Sequence, residues 1–97
     1  MDKIKIFKAL SNDSRVKIIN LLDNNNLCAC KIIENLNLTQ STISHHMKIL
    51  EDAKLINSIK VGKWRHYSIN SVTFKELEIY FSRIEENKFI IEGCNCD

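Results

Sequence analysis

The four cysteines are the residues whose type and spacing point most directly to chemistry. They form two Cys-x-Cys pairs, Cys28 with Cys30 and Cys94 with Cys96. Closely spaced thiols bind soft metal ions or undergo redox chemistry, whereas a disulfide framework is typical of small secreted domains. We therefore expect free thiols in a reducing cytosol, and we take all four cysteines as candidate metal ligands.

The first cysteine pair falls at the start of a predicted helix over residues 28–36. Unpaired amides at a helix N-terminus favour the thiolate, and Lys31 adds a nearby cation. In a regular helix, residues two apart point about 200° away from each other, so both sulfurs reach one ion only where the first turn is extended. We hypothesise that binding a soft ion distorts this helix start and reorients the helix that follows it.

Length and composition indicate one small domain. The chain has 97 residues, 44% of them hydrophobic, which gives a limited core that dimerisation would extend. We find no apolar run of transmembrane length, and charges interrupt the N-terminal segment, so we expect a cytosolic protein with no membrane partner. The net charge of +2 neither supports nor excludes a nucleic-acid partner. With only two glycines and no proline, the sequence has no phosphate-binding glycine loop.

Apolar spacing predicts a mainly α fold with five helices, at about 2–10, 12–23, 28–36, 39–53 and 71–91. Thr39 is placed to cap the fourth helix, and Ile43, Met47 and Leu50 recur on its buried face. Its other face is polar, as in the second helix of a helix-turn-helix unit that reads a major groove, although an ordinary solvent-facing surface is the alternative. His46 is expected to pack inside the domain. The residues of this helix that we expect to contact DNA are Gln40, Ser41, Thr42, Ser44, His45 and Lys48.

After Ala53 the sequence changes from a helical pattern to two runs rich in β-branched and aromatic residues, which flank Gly62 and Lys63. This pattern predicts a two-stranded β-hairpin with these two residues at its turn. We expect this hairpin to act as a wing whose cations contact DNA phosphates, namely Lys60, Lys63 and Arg65. The alternative is a solvent-exposed hairpin whose lysines only prevent pairing at the sheet edge. His66 is expected to contact phosphate or simply to be exposed.

The last helix carries apolar residues on more than one face, so we expect it to pack on its own domain and on a second subunit, with the first helix as its companion. The predicted organisation is a homodimer in which residues 1–92 form the DNA-binding and dimerisation domain and residues 93–97 form a cysteine-containing tail.

Several segments in this order resemble the ArsR/SmtB family of winged helix-turn-helix metal-sensing repressors: LSNDSRVKIINLL, LCACKI, LTQSTISHHMKILEDAKLI and VGKWRHYSI. The resemblance implies a homodimer that binds double-stranded operator DNA and is released when an inducer ion occupies a cysteine or histidine site. The Leu-Cys-Ala-Cys segment is similar to the motif of the family's arsenical and cadmium sensors. Ile33 stands where many arsenic sensors have a further cysteine, and no histidine follows His66, as zinc and nickel sensors would require.

The sequence therefore predicts a repressor without a permanent cofactor that trivalent arsenic or antimony releases from DNA. Cys94 or Cys96 would complete a three-thiolate site. One alternative within the family is sensing of thiol oxidation or persulfides, in which Cys28 or Cys30 would bridge to a tail thiol. Another is sensing of a divalent soft metal such as cadmium, lead or zinc. A thiol enzyme is disfavoured because the chain has no Cys-x-x-Cys motif, and a zinc-stabilised interaction module because the apolar content suffices without metal.

Overall fold

The computed structural model describes residues 1–23 and 25–86, which form five α-helices and three β-strands. Their bounds are α1 Lys3–Leu10, α2 Asp13–Leu22, β1 Leu27–Cys28, α3 Ala29–Leu36, α4 Gln40–Asp52, β2 Ile56–Val61, β3 Trp64–Ile69 and α5 Ser71–Glu85. The predicted winged helix-turn-helix architecture is confirmed. No helix in this part of the chain is both long enough and apolar enough to cross a membrane.

Short polar side chains set where three of the helices begin. Asp2, Asn12 and Thr39 each occupy the residue before a helix in extended conformation. Their side-chain oxygens accept hydrogen bonds from the backbone amides of Lys5, Arg15 and Thr42, respectively. Each cap satisfies one amide that has no partner within its helix, which typically contributes about 1 kcal/mol to stability.

Helices α3 and α4 form the helix-turn-helix unit. Asn37 ends α3 in the left-handed conformation, with φ of 52°, which asparagine tolerates better than most residues. Helix α4 then begins at Gln40. Both helices pack on one hydrophobic core, whose largest fully buried side chains are Ile6, Ile18, Leu22, Ile32, Ile43, Met47, Leu50, Leu55 and Ile56.

The sheet has three antiparallel strands in the order β1, β3, β2. Strands β2 and β3 form the predicted hairpin, in register from Ile56 opposite Ile69 to Val61 opposite Trp64. Gly62 has a φ of 63° in the turn, as predicted. The prediction of a two-stranded sheet missed β1, which pairs with the other edge of β3.

Helices α1 and α5 contact each other through aromatic rings. The ring of Phe7 is 6.5 Å from that of Tyr80 and 6.0 Å from that of Phe81, measured between centroids. Leu77 faces the core, whereas Ile84 is exposed. This pairing of the first and last helices agrees with the sequence analysis. The predicted extension of α5 to residue 91, the boundary near residue 92 and the cysteine tail lie outside the described residues.

Candidate nucleic-acid interface and cysteine site

The polar face of α4 is open to solvent. All six predicted DNA contacts of this helix are exposed: Gln40, Ser41, Thr42, Ser44, His45 and Lys48. Lys48 lies 3.9 Å from Asp52, an exposed ion pair that costs little to break. The surface therefore offers hydroxyl, amide and imidazole groups within the first turns of one helix, the arrangement that reads base edges in a major groove.

The opposite face of α4 anchors the helix to the core. Ile43, Met47 and Leu50 are buried as predicted, and His46 is buried beside them. Of the two adjacent histidines, His45 thus faces solvent and His46 packs inside, also as predicted. This division separates the residues that can touch DNA from those that fix the orientation of the helix.

Arg15 is a structural residue of this site that the sequence analysis missed. Its Nε donates to the carbonyl oxygen of Ala9 over 2.6 Å, and its Nη1 donates to His46 Nδ1 over 3.1 Å. Burial, and then the positive charges of Arg15 and His45, lower the pKa of His46 below its usual value. The imidazole is therefore neutral near pH 7, with Nδ1 free to accept the hydrogen bond.

The wing presents cations on exposed strand and turn positions. Lys60 and Arg65 are opposite each other across β2 and β3, and Lys63 lies at the turn. Arg65 also donates from Nη1 to Ser58 Oγ over 3.1 Å, and that hydroxyl donates to Glu51 Oε1 over 2.6 Å. The wing strands are thereby joined to the C-terminal part of α4.

The structure brings Cys28 and Cys30 together as an intrachain disulfide with a Cα–Cα distance of 5.4 Å. The expectation of free thiols at this pair is therefore wrong for this state. Cys28 ends β1 in an extended conformation, with φ of −74° and ψ of 156°, and α3 begins one residue later than predicted, at Ala29. The two side chains meet because only Cys30 lies within the helix, so the sulfurs approach each other without unwinding α3.

Cys28 is itself part of the sheet, as the last residue of β1. In the pairing of β1 with β3, Cys28 is opposite His66 and Leu27 is opposite Tyr67. His66 is half-buried. Its expected position as an exposed wing residue is thus only partly correct, because the strand that carries it has a neighbour on each side.

A complete metal-ligand set is not assembled in this state. Within residues 1–23 and 25–86, no three histidine, cysteine or acidic side chains converge so as to hold a metal ion. The predicted ligands Cys94 and Cys96 lie outside these residues. The two sulfurs of Cys28 and Cys30 nevertheless supply the type of donor that soft ions prefer.

Comparison with protein families and with curated proteins gives consistent matches. The family model described as "Bacterial regulatory protein, arsR family" matches residues 12–58. The arsenical resistance operon repressor of Staphylococcus xylosus is 37% identical over 95 residues, covering 94% of this chain and 85% of that protein. An uncharacterised helix-turn-helix transcriptional regulator of Methanocaldococcus jannaschii is 42% identical over 74 residues, covering 75% and 83%. A homologue of the cadmium resistance regulatory protein CadC from Staphylococcus aureus is 37% identical over 78 residues, covering 79% and 64%.

Solved structures share the fold. A crystal structure of an ArsR family transcriptional regulator superposes with a TM-score of 0.81 at 21% identity, covering 89% of this chain and 94% of the other. The homodimeric winged helix-turn-helix domain of a Mycobacterium bovis protein, determined by NMR, gives a TM-score of 0.70 at 18% identity, covering 97% and 86%.

Proposed function

Since the chain belongs to the ArsR family of DNA-binding transcriptional repressors, we propose that trivalent arsenic or antimony releases it from its operator by binding cysteine thiolates. Members of this family are transcriptional regulators and not enzymes. The observation that carries the proposal is the meeting of Cys28 and Cys30 at the N-terminus of α3. Helix α3 packs on the recognition helix α4, so the sulfurs lie one helix away from the DNA-reading surface.

Trivalent arsenic and antimony bond to three thiolates in a pyramid. Reduced Cys28 and Cys30 would supply two of them, and Cys94 or Cys96 the third, from the same subunit or from its partner. A relative named for arsenical resistance aligns with 94% of this chain, which supports these ions over others. A relative named for cadmium resistance supports cadmium, lead or zinc as alternative inducers.

The position of Cys28 suggests a coupling between ion binding and DNA release that differs from the helix distortion expected from the sequence. Cys28 is the residue before α3, so an ion that bonds to both sulfurs and to a tail thiol would act on the joint between β1 and α3. The start of α3 then moves without the unwinding that a regular helix would require. Displacing α3 against α4 would lower operator affinity, typically by about 1 to 3 kcal/mol of coupling free energy.

In the DNA complex, we assign base reading to the exposed polar residues of α4 and phosphate contact to the wing cations Lys60, Lys63 and Arg65. Their exposure supports this assignment. Each phosphate neutralised by the wing would steepen the salt dependence of binding. Because its target is operator DNA, we place the protein in the cytoplasm.

We assign the second subunit to the apolar surface of α1 and α5. Ile4 is 65% exposed, Phe81 50% and Ile84 46%, although these two helices contact each other. Large exposed apolar side chains on two helices that contact each other suit an interface between subunits. The homodimeric structural neighbour supports the same assembly.

A second candidate function is thiol-redox sensing, and the Cys28–Cys30 disulfide favours it. In this reaction, the two thiols would lose two protons and two electrons to a peroxide or polysulfide, which is itself reduced. The partner thiol differs from the sequence-based alternative, in which one of these cysteines bridges to the tail.

Anaerobic DNA-release measurements separate the two functions. We expect arsenite to release the reduced protein from operator DNA without any oxidant, and Cys28→Ser or Cys30→Ser to abolish release while leaving DNA binding intact. A Cys94→Ser, Cys96→Ser double variant tests the third ligand. Release that requires peroxide or polysulfide would favour redox sensing, and arsenite response retained in both Cys28→Ser and Cys30→Ser would exclude this site from the mechanism.

A further inference from the structure

We infer that a cavity between the start of α1, the end of α4 and the start of α5 is a binding site for a small carboxylate or phosphate. This site goes beyond the proposed function and makes no use of the cysteine pair. The cavity has a volume of about 370 Å³, which is within the range of ligand pockets in proteins. A small anion in it would contact three helices, the proposed recognition helix among them.

The side chain of Thr73, on α5, is the feature of the cavity wall that points to a ligand. Thr73 is 7% exposed, yet its hydroxyl has no hydrogen-bond partner among the residues that the structure describes. No described side-chain oxygen or nitrogen is both sealed from solvent and without a partner, so this hydroxyl opens into the cavity that Thr73 lines. Because a buried hydroxyl without a partner is unfavourable, a ligand oxygen that accepts from it would be bound more tightly.

The start of α5 adds backbone donors beside this hydroxyl. Asn70 occupies the residue before the helix, but its side chain accepts no hydrogen bond from the first turn. The first amides of α5 therefore lack the side-chain cap that α1, α2 and α4 have, and amides at a helix N-terminus bind anions. The Asn70 amide donates to the carbonyl oxygen of Leu55 over 3.0 Å. This bond fixes the start of α5 beside the turn that follows α4.

Two lysines supply positive charge to the cavity. Lys5 comes from α1 and Lys54 from the turn after α4, and both line the cavity. Neither forms an ion pair with any residue in the described part of the chain. Lys54 has a φ of 62°, a conformation in which glycine or asparagine is more usual at a helix end. Their ammonium groups are therefore available to an acid group of a ligand.

Three carboxylates line the same cavity, and two of them already have partners. Asp2 accepts the backbone amide of Lys5 as the cap of α1, and Asp52 lies 3.9 Å from the ammonium of Lys48. Glu76 has no such partner within residues 1–23 and 25–86. Two unpaired ammonium groups thus face one unpaired carboxylate, which favours an anion. Glu76 would accept a hydrogen bond from a hydroxyl or amino group beside the acid group of the ligand.

Titration of the full chain with succinate, inorganic phosphate and the neutral analogue succinamide, at constant ionic strength, tests the inference. Calorimetry should detect binding of at least one of the two anions, which identifies the preferred acid group, and no binding of succinamide. In NMR spectra, the amide signals of Val72 and Thr73 should shift as the anion binds.

Substitutions of the charged residues should change anion affinity in opposite directions. We expect Lys54→Gln to weaken binding by about tenfold, as loss of a charged hydrogen-bond partner does elsewhere. Glu76→Gln should tighten binding, because it removes a like charge. The control Lys8→Gln changes an exposed lysine of α1 that does not line the cavity, and this variant should bind the anion as the parent does.

Thr73→Val distinguishes a ligand-binding hydroxyl from a structural one. The substitution removes a hydroxyl that has no partner in the described residues, so thermal unfolding without anion should occur at the temperature of the parent or higher. Anion binding should weaken by about fivefold or more, as expected for one lost hydrogen bond.

Three results would overturn the inference: no binding of either anion, succinamide binding as tightly as succinate, or unchanged anion affinity in Lys54→Gln. The Cys28→Ser, Cys30→Ser double variant should bind the anion as the parent does. A failure of arsenite to release DNA would therefore contradict the proposed function and leave this site unaffected.

Discussion

Arg15 donates a hydrogen bond from Nη1 to His46 Nδ1 over 3.1 Å, joining helix α2 to the recognition helix α4. The same guanidinium donates to the Ala9 carbonyl oxygen at the end of α1. One side chain thus connects three helices and helps to fix the orientation of α4, the proposed recognition helix.

This hydrogen bond predicts a specific pH dependence of stability. Burial and the charge of Arg15 lower the pKa of His46, so the unfolded chain takes up a proton near pH 6.5 while the folded protein resists it. The free energy of unfolding should be highest above pH 6.5 and should fall below it, by at most about 1.4 kcal/mol per pH unit. Urea unfolding between pH 5 and 8 measures this. His46→Gln should lose this part of the dependence, whereas His45→Gln should retain it.

Two adjacent residues of α4 should serve different purposes, Ser44 in DNA binding and Ile43 in stability. Ser44→Ala should leave stability almost unchanged and cost about 1 to 3 kcal/mol on the operator, with a smaller loss on random DNA. Ile43→Ala opens a cavity in the core and should lower the free energy of unfolding by about 2 to 5 kcal/mol. Urea unfolding and DNA titration of both variants measure this. Equal losses on operator and random DNA in Ser44→Ala would remove Ser44 from base reading.

The wing should determine much of the salt dependence of DNA binding. Replacing Lys60 and Lys63 by Gln should flatten the log–log slope of affinity against salt by about 0.9 for each phosphate that the wing no longer neutralises. Lys17→Gln is a suitable control, because this exposed lysine lies on α2 and pairs with Asp13 within that helix. A slope that stays the same in the wing variant would show that these lysines do not bind phosphate.

Gly62 should be costly to replace because of its backbone and not because of space. A Cβ at this position would meet no atom within 4 Å, but its φ of 63° is unfavourable for residues with a side chain. We expect Gly62→Ala to lower the free energy of unfolding by about 1 to 2 kcal/mol and Gly62→Asn by less, since asparagine tolerates this conformation. Urea unfolding of the two variants provides the comparison, and an alanine variant as stable as the parent would contradict the assignment of strain.

Charging the exposed face of α1 and α5 should dissociate the proposed homodimer. Ile4→Glu combined with Ile84→Glu places carboxylates on side chains that are 65% and 46% exposed in one subunit, so the fold of that subunit should survive. Analytical ultracentrifugation should show a dimer for the parent and a monomer for the variant. Ile59→Glu, on the exposed part of the wing, is the matched control and should remain dimeric.

The helices could be predicted because their signals are local. Thr39 and Asn12 are capping residues beside apolar repeats, and Gly62 marks a hairpin between two β-rich runs. The strand β1 has only two residues, too few for any periodicity to show, so its pairing with β3 was missed. The geometry of the cysteine site was missed for the same reason, since it depends on Cys28 belonging to that strand.

The hydrogen bond between Arg15 and His46 could not be predicted because it joins residues 31 positions apart. No spacing rule reaches across that distance, and Arg15 alone looks like an ordinary surface cation. The exposure of Ser44 and the burial of Ile43 were predictable, because they depend only on the period of one helix.

The hydroxyl of Ser58, which accepts from Arg65 and donates to Glu51, fixes the wing to the end of α4. In the proposed mode of DNA binding, this contact would hold the polar side chains of α4 and the wing cations at a fixed separation. A duplex whose groove and backbone do not match this separation must bend or change its twist before both can be engaged. The stiffness of the DNA would thereby contribute to the choice of operator, even at base pairs that no side chain touches.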